Sequence, residues 1–191
     1  MIRTFVHGTT LTIALIASSA VTAGEPSCPM HAQHMAEKKQ QAAADGSAHH
    51  GKEVDQRHDT FGMSHDASTH SFRLFADGGA IELRANRNDD ANAIAAIRTH
   101  LEQIVEQFNR ADFSTPGFVH GYPPAGVAEM ERLRGEIAYG YQSLPAGGRI
   151  RITTRTPQAI AAIHDFLRFQ VTEHRTADSG KIEEDKQAAR R

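Results

Sequence analysis

The residues best suited to chemistry form a short run of sulfur and imidazole side chains near the start of the chain. Cys28, Met30 and His31 stand close together, and His34 and Met35 follow directly. Soft thiolate and thioether ligands select Cu(I), whereas imidazole suits copper, zinc or nickel. If the run turned helical, His31, His34 and Met35 would share one face. It therefore predicts a transition-metal site, with copper preferred and zinc or nickel as alternatives.

More imidazole and thioether groups follow in the next part of the chain: His49, His50, His58, Met63 and His65. Histidine-rich tracts often bind metal, although the same residues could simply keep a polar linker soluble. Residues 24–68 show almost no apolar periodicity and cannot bury enough surface to offset their ordering entropy. We therefore predict a disordered arm over 24–68, with a short helix near His34–Ala44.

A second set of candidates lies beyond the arm: His70, His100, His120, His164 and His174. Each one alone is explained most simply as a hydrogen-bonded histidine at the edge of the core. Together they would form a site between a hairpin and the helices, with His120 on a proline-rich loop above it. Neutral imidazoles can bind metal or haem, or exchange protons near neutral pH. Four of the set are the candidate cofactor ligands, namely His70, His120, His164 and His174.

The first residues have the pattern of a secretory signal. Arg3 supplies the positive end, Leu11–Val21 is a short apolar run, and Val21-Thr22-Ala23 fits a cleavage site between small residues. The run is too short for a comfortable membrane span. We expect residues 1–23 to be removed and the protein to be periplasmic or secreted. In that compartment the single cysteine, Cys28, cannot form an internal disulfide and is free, paired between chains or bound to metal.

An internal repeat in the sequence predicts the helices and strands that must position these histidines. Ala159–His174 repeats Ala93–Phe108 with seven of sixteen aligned positions identical, and each copy has apolar residues at helical spacing. A candidate β-hairpin precedes each helix, and its turn is predicted at Gly78-Gly79 or at Gly147-Gly148. The order is therefore strand, strand, helix, then a linker, then strand, strand, helix.

This order predicts an α+β fold over residues 69–178. Two duplicated ββα units would form a two-layer sandwich, with a four-stranded antiparallel sheet and both long helices on one face. Asp89 or Asp90 would cap the first helix, and Thr156 the second, with Pro157 at its first position. Asp112–Pro124 is predicted as a loop, followed by a short helix that ends near Arg134. The polar sheet face is expected in water, and it carries Ser71, Arg73, Glu82, Arg84, Arg149 and Arg151. Residues 179–191 are expected to be a frayed tail.

Several classes of function find no support in the composition. The 191 residues carry a net charge of -2, without the basic surface that nucleic-acid binding needs. We find no nucleophile elbow, zinc-protease motif, Walker loop or dinucleotide fingerprint, so an enzyme is not favoured. Phe169 points away from the main apolar stripe, and either the linker or the neighbouring helix covers it, or it contacts a second copy of the chain. Besides a metal ion, the candidate partners are a second copy and a component of a metal-transport system.

Two resemblances bear on these expectations. The run Cys28–His31 resembles the short heavy-metal-binding motif at the N-termini of bacterial copper and silver efflux components and metal ATPases. From Thr69 to Asp178 the chain is similar to a family of small exported bacterial proteins of unassigned function. The matching stretches are Thr69–Phe72, Asp77–Gly79, Asp112-Phe113 and His164–Gln170, with His174 beyond. Some members carry the label aspartate carbamoyltransferase, but this chain is too short for that enzyme's two α/β domains.

The sequence therefore favours an exported transition-metal-binding protein that serves in binding, buffering or resistance. The alternative is a domain that binds a small molecule or haem through its own histidines and is a candidate enzyme. A third interpretation is a structural or interaction module whose arm is only a tether.

Overall fold

The computed structural model describes residues 50–60 and 66–186. The elements follow in the order α1 (residues 50–59), β1 (Ser68–Phe75), β2 (Gly78–Ala85), α2 (Ala91–Asn109), α3 (Ser114–His120), α4 (Val127–Arg132), a 3₁₀ turn (Arg134–Glu136), β3 (Ala138–Leu144), β4 (Gly147–Thr153) and α5 (Pro157–Glu173). The predicted α+β fold with one four-stranded antiparallel sheet is confirmed. No helix within the described ranges is both long and apolar enough to cross a membrane.

The sheet joins the two hairpins through their second strands, in the order β1-β2-β4-β3. At the central junction Ile81 pairs with Ile150. One face of the sheet, formed by alternate strand residues, packs against side chains from both α2 and α5 in a single core. The principal contributors are Phe72, Leu83, Ile150 and Ile152 from the strands, Ile97, Leu101 and Phe108 from α2, and Ile163, Phe166 and Leu167 from α5.

The glycine pairs lie one step further along the chain than predicted. The tight turns are residues 76–77 and 145–146, and each pair instead begins the following strand. At Gly79 an added Cβ would lie 2.2 Å from Cδ1 of Leu167 and 2.5 Å from the carbonyl oxygen of Arg73. Glycine is needed there because α5 passes so close to β2.

The helix ends follow the predicted signals, with one addition. Asp90 caps α2 by accepting a hydrogen bond from the Ala93 N–H at 3.0 Å. Thr156 stands at the N-cap position of α5 with Pro157 in the first turn, but its side chain makes no capping hydrogen bond, so the predicted cap is right in position only. The segment predicted as a loop is partly helical, because α3 spans Ser114–His120. Pro116 is tolerated in its first turn, where backbone N–H groups have no partner within the helix.

The prediction of a disordered arm is wrong for residues 50–59. They form α1, whose Val54 and His58 are spaced by four residues and are both buried. An ion pair of 3.1 Å between Asp55 and Arg175 also holds α1 to the chain beyond α5. Only one strongly apolar residue lies in this helix, so its sequence gives no amphipathic signal. Residues 60, 66 and 67 form turns, and Ser68 already begins β1. The signal segment, residues 24–49 with the helix near His34–Ala44, and residues 61–65 lie outside the described residues.

The polar face of the sheet is not simply in water. Glu82 and Arg149, which were expected there, are only 4% and 1% exposed. Residues 178–183 run beside the edge strand β1, where Ile182 bridges Leu74. Beyond them, Asp185 reaches the polar face and forms ion pairs with Arg149 at 3.0 Å and with Arg151 at 2.9 Å. The expectation of a frayed tail is therefore wrong for residues 179–186, because their carboxylates neutralise a row of strand arginines.

Candidate functional site

Five histidine side chains from five separate segments meet in one cluster. They are His58 of α1, His70 of β1, His100 of α2, His120 at the end of α3 and His174 directly after α5. The ring centroids of His58 and His70 are 4.5 Å apart, and those of His70 and His174 are 4.9 Å apart. His120 lies 5.1 Å from His174, and His100 lies 6.0 Å from His58. We call this set the histidine cluster.

Local structure brings each ring to this point. His70 lies on the same face of β1 as Phe72, with their ring centroids 5.9 Å apart. His174 is the C-cap of α5, and its ring lies 5.3 Å from that of Phe72. His120 ends α3 because Gly121 follows with a φ of +77°, a left-handed conformation that glycine adopts without strain. The cluster therefore depends on how the helices end as well as on their apolar faces.

Two spaces adjoin the cluster. An inner cavity of about 70 Å³ is bounded by all five histidines and by an apolar wall of Phe72, Ile81, Ile104, Phe108 and Phe166. An outer groove of about 540 Å³ has polar residues such as Asp55 and Thr69 along it. His58, His70 and His174 border both spaces. These three rings are therefore shared by the cavity and the groove.

The protein environment favours neutral imidazoles. Burial lowers the pKa of His174 to about 3 and that of His100 to about 4, with smaller contributions from neighbouring rings. Burial and the other cluster imidazoles hold the pKa of His70 well below its ordinary value. Burial also lowers the pKa of His120, against the opposing effects of its hydrogen bond and of the Glu173 charge. Imidazoles with such lowered pKa values carry a free lone pair at neutral pH.

His120 has an incomplete set of hydrogen bonds. Its Nε2 lies 2.9 Å from Oε1 of Gln170, whereas its Nδ1 has no hydrogen-bond partner among the described residues. The nearest acidic atom to this Nδ1 is Oε2 of Glu173, at 3.8 Å. Nε2 of Gln170 is also buried without a hydrogen-bond partner in this part of the chain. A buried polar atom without a partner costs about 1–3 kcal/mol, so this is a place where a ligand would complete the bonding.

Glu173 connects His120 to the protein surface. Its carboxylate accepts a hydrogen bond of 2.7 Å from Nε2 of His50. Burial and this carboxylate raise the pKa of the Tyr122 hydroxyl. Phe169 lies 4.9 Å from the ring of His120 and 5.7 Å from that of Tyr122. The linker thus covers Phe169, which was one of its two predicted environments.

The distances between the rings of the cluster suit a metal site, but the orientations of the rings do not. With metal–nitrogen bonds of about 2.0–2.1 Å, two imidazoles on one ion have ring centroids roughly 5 Å apart. His58, His70 and His174 are separated by 4.5, 4.9 and 6.0 Å. Across residues 50–60 and 66–186, however, no three His, Cys, Asp or Glu side chains are arranged to hold a metal ion as they stand. The rings of His70 and His174 are stacked at 22°, so binding would require them to turn.

The predicted domain histidines separate into two groups. His70, His100, His120 and His174 come together as the proposed site required. His164 does not line the cavity, because its Nε2 lies 2.9 Å from the Phe75 carbonyl oxygen and 3.0 Å from that of Gly78. It stabilises the end of the first hairpin.

The predicted arm ligands are only partly described. His58 joins the cluster and His50 lies against Glu173. The other candidates lie outside the described residues: Cys28, Met30, His31, His34, Met35, His49, Met63 and His65. Sequence reasoning missed Gln170 and Glu173, although their spacing from His174 places all three near one face at the end of α5.

Comparisons of the chain with known protein families, with curated proteins and with solved structures found no match. They therefore do not bear on the resemblances seen in the sequence, and the case for a function depends on the residues themselves.

Proposed function

We propose that this protein is an exported transition-metal-binding protein and that the histidine cluster is its metal site. The observation that carries the proposal is the convergence of five imidazoles from five segments around one small cavity. Burial lowers the pKa of His70, His100, His120 and His174. The neutral form that this favours is also the form that coordinates metal.

The ligand chemistry indicates the class of metal. Imidazole nitrogens suit Zn²⁺, Cu²⁺ and Ni²⁺, whereas sulfur ligands favour Cu(I). Among the described residues, the cavity lining contains five imidazoles and no sulfur atom, so the cluster would take a divalent ion. Met30, Met35 and Cys28 in the arm would take Cu(I). Both sites fit a role in metal binding, buffering or resistance outside the cytoplasm, a location supported by the signal-like residues 1–23.

The test must separate the arm from the cluster by substitution. Removing all residues before Ser68 would also remove His58, so a truncation cannot distinguish the two sites. The cluster variant is His70→Gln with His174→Gln. Its matched control is His164→Gln, which also removes a buried histidine but one that does not line the cavity.

The arm needs its own pair of variants. One is His31→Ala with His34→Ala, which should weaken divalent binding by the arm. The other is Met30→Leu with Met35→Leu, which should mainly weaken Cu(I) binding.

Calorimetric titration with Zn²⁺, Ni²⁺ and Cu²⁺, and competition assays with Cu(I), would give the affinities. We expect the cluster variant to lose the tightest divalent site while the His164 control retains it. If the cluster variant binds every metal as the parent does, the cluster is not the metal site. If the arm variants also match the parent, the arm is only a tether.

A second candidate function is binding of a small molecule beside the same rings. The cavity of about 70 Å³ is far below the 300–1,000 Å³ of typical ligand pockets and would not admit haem. The outer groove, at about 540 Å³, falls within that range. Haem titration followed by its absorption band would test this directly, and a band shift that His70→Gln abolishes would favour this second function.

A further inference from the structure

We propose a second metal site at the surface edge of the cluster, formed by His50, Glu173 and His120, which takes a divalent cation. We call these three residues the rim triad. The site goes beyond the proposed function, because its geometry does not depend on the cluster holding a metal. It shares His120 with the histidine cluster, but none of its ligands belongs to the trio of His58, His70 and His174.

The donor atoms of the rim triad lie near one another but are not yet placed as a ligand set, since no three such side chains within residues 50–60 and 66–186 are arranged to hold a metal ion as they stand. Oε2 of Glu173 lies 2.7 Å from Nε2 of His50 and 3.8 Å from Nδ1 of His120. Ligand atoms about 2.0–2.2 Å from one ion, at tetrahedral to octahedral angles, are roughly 3.0–3.5 Å apart. The two observed distances lie on either side of this range. A shift of the Glu173 carboxylate away from His50 and towards His120 would bring both distances into the range expected for atoms bound to one ion.

His120 supplies an independent indication of a ligand. When its Nε2–H donates to Oε1 of Gln170, its Nδ1 carries a lone pair that faces the Glu173 carboxylate. Nδ1 is buried and has no hydrogen-bond partner among the described residues. Two electron-rich atoms facing each other repel, whereas a cation between them would bond both.

The remaining contacts suit a site that loads from solvent. The side chains of His50 and Glu173 are 34% and 15% exposed, whereas that of His120 is fully buried. His120 lies 5.1 Å from His174, so an ion at the rim triad would be next to the histidine cluster.

The donor set selects the cation. Two imidazoles and one carboxylate form a familiar ligand set for Zn²⁺ and for non-haem Fe²⁺. The hard carboxylate disfavours Cu(I), which prefers sulfur. The rim triad should therefore take Zn²⁺ or Co²⁺, whereas the Met-rich arm would keep Cu(I).

The rim triad could instead serve only to hold α1 against α5, and the variants are chosen to separate these roles. His50→Gln keeps a side-chain N–H that can donate to Glu173 but removes the imidazole. Glu173→Gln keeps the volume of the side chain and removes its charge. Glu102→Gln is the matched control, because Glu102 is an exposed helical carboxylate outside the site.

The experiment uses the full chain with Co²⁺ as the probe, read by visible absorption, and Zn²⁺ titration by calorimetry. We expect His50→Gln and Glu173→Gln each to weaken one binding event at least tenfold and to remove part of the Co²⁺ spectrum. Glu102→Gln should match the parent. Melting of the metal-free proteins checks that His50→Gln still folds. If both rim variants retain the parent's affinity and spectrum, the rim triad is structural and the proposal is wrong.

The same titration on His70→Gln with His174→Gln separates this site from the cluster. If that variant keeps the event that the rim variants lose, the rim site stands even if the cluster binds no metal. If only the cluster variant loses binding, the proposed function stands and the rim site is refuted.

Discussion

Acid should destabilise the metal-free protein, and replacing His174 with Phe should remove part of that loss. Phenylalanine is a natural choice because Phe108 occupies the equivalent place in the first copy of the internal repeat. The His174 ring already packs against the ring of Phe72 at 5.3 Å. An aromatic replacement therefore keeps the shape of the site and removes only the titrating group.

The sign and size of the effect follow from the lowered pKa values. Burial lowers the pKa of His174 to about 3, whereas in the unfolded chain it is about 6.5. Below about pH 6.5 the unfolded chain takes up a proton that the folded chain refuses, so stability is complete above that pH and falls as the pH drops towards 3. When the pH falls from about 7 to about 5, a histidine that stays neutral in the folded protein lowers the free energy of unfolding by at most about 2 kcal/mol. Partial exposure of the ring makes about 1–2 kcal/mol a fair value.

His70 and His100 act in the same direction, since burial lowers the pKa of both. The three rings together should remove about 3–5 kcal/mol over the same interval, a large part of the 5–15 kcal/mol that stabilises a typical domain.

Urea unfolding at about pH 7.5 and pH 5, with a chelator present, measures this loss. The parent should lose several kcal/mol of unfolding free energy, and His174→Phe about 1–2 kcal/mol less than the parent. Phe72→Leu is the matched control, because it changes the packing around the same rings without changing a titrating group. It should lower stability about equally at both pH values. If His174→Phe shows the same pH dependence as the parent, the His174 ring is not held neutral and the reasoning is wrong.

Two further predictions concern the fold. Asp185→Asn should lower the free energy of unfolding, measured in urea, by about 2–4 kcal/mol, because it removes the carboxylate 3.0 Å from the buried Arg149 guanidinium. A change within error would mean that residues 178–186 do not cover the sheet in solution. Gly79→Ala should cost about 1–3 kcal/mol in the same assay, since its Cβ would meet Leu167 and strand backbone. Gly140→Ala is its control, has open space at the Cβ position and should stay within about 0.5 kcal/mol of the parent. Equal effects at the two glycines would contradict the close approach of α5 to β2.

The sequence could predict the fold because the fold depends on local and repeated signals. The buried side of each element is predicted by the apolar stripes of α2 and α5 and by the alternation of apolar and polar residues in the strands. Asp90 and Pro157 mark where the long helices begin. With two similar ββα units, a single antiparallel sheet lets both helices cover the same apolar face.

The sequence could name most of the histidines of the cluster but could not say which of them meet. His70, His100, His120 and His174 are far apart along the chain, and only the packing of the sheet and helices brings their rings together. His164 lies in α5, the helix that His174 ends, yet its ring bonds the carbonyl oxygens of Phe75 and Gly78 and not the cluster. The two rings lie ten residues apart, about 15 Å along the helix axis, so they reach different parts of the sheet.

Tertiary structure alone decided the places of α1 and of residues 178–186. Neither segment has an apolar face that predicts burial from its own sequence. Each is held by a few contacts with distant residues, such as Val54 and His58 in the core and Asp185 against Arg149 and Arg151. A polar sequence by itself predicts a solvent-exposed segment. The residues that pair with its charges come together only after the sheet has formed. For the same reason Glu173 became a candidate ligand only when α1 and α3 placed His50 and His120 beside it.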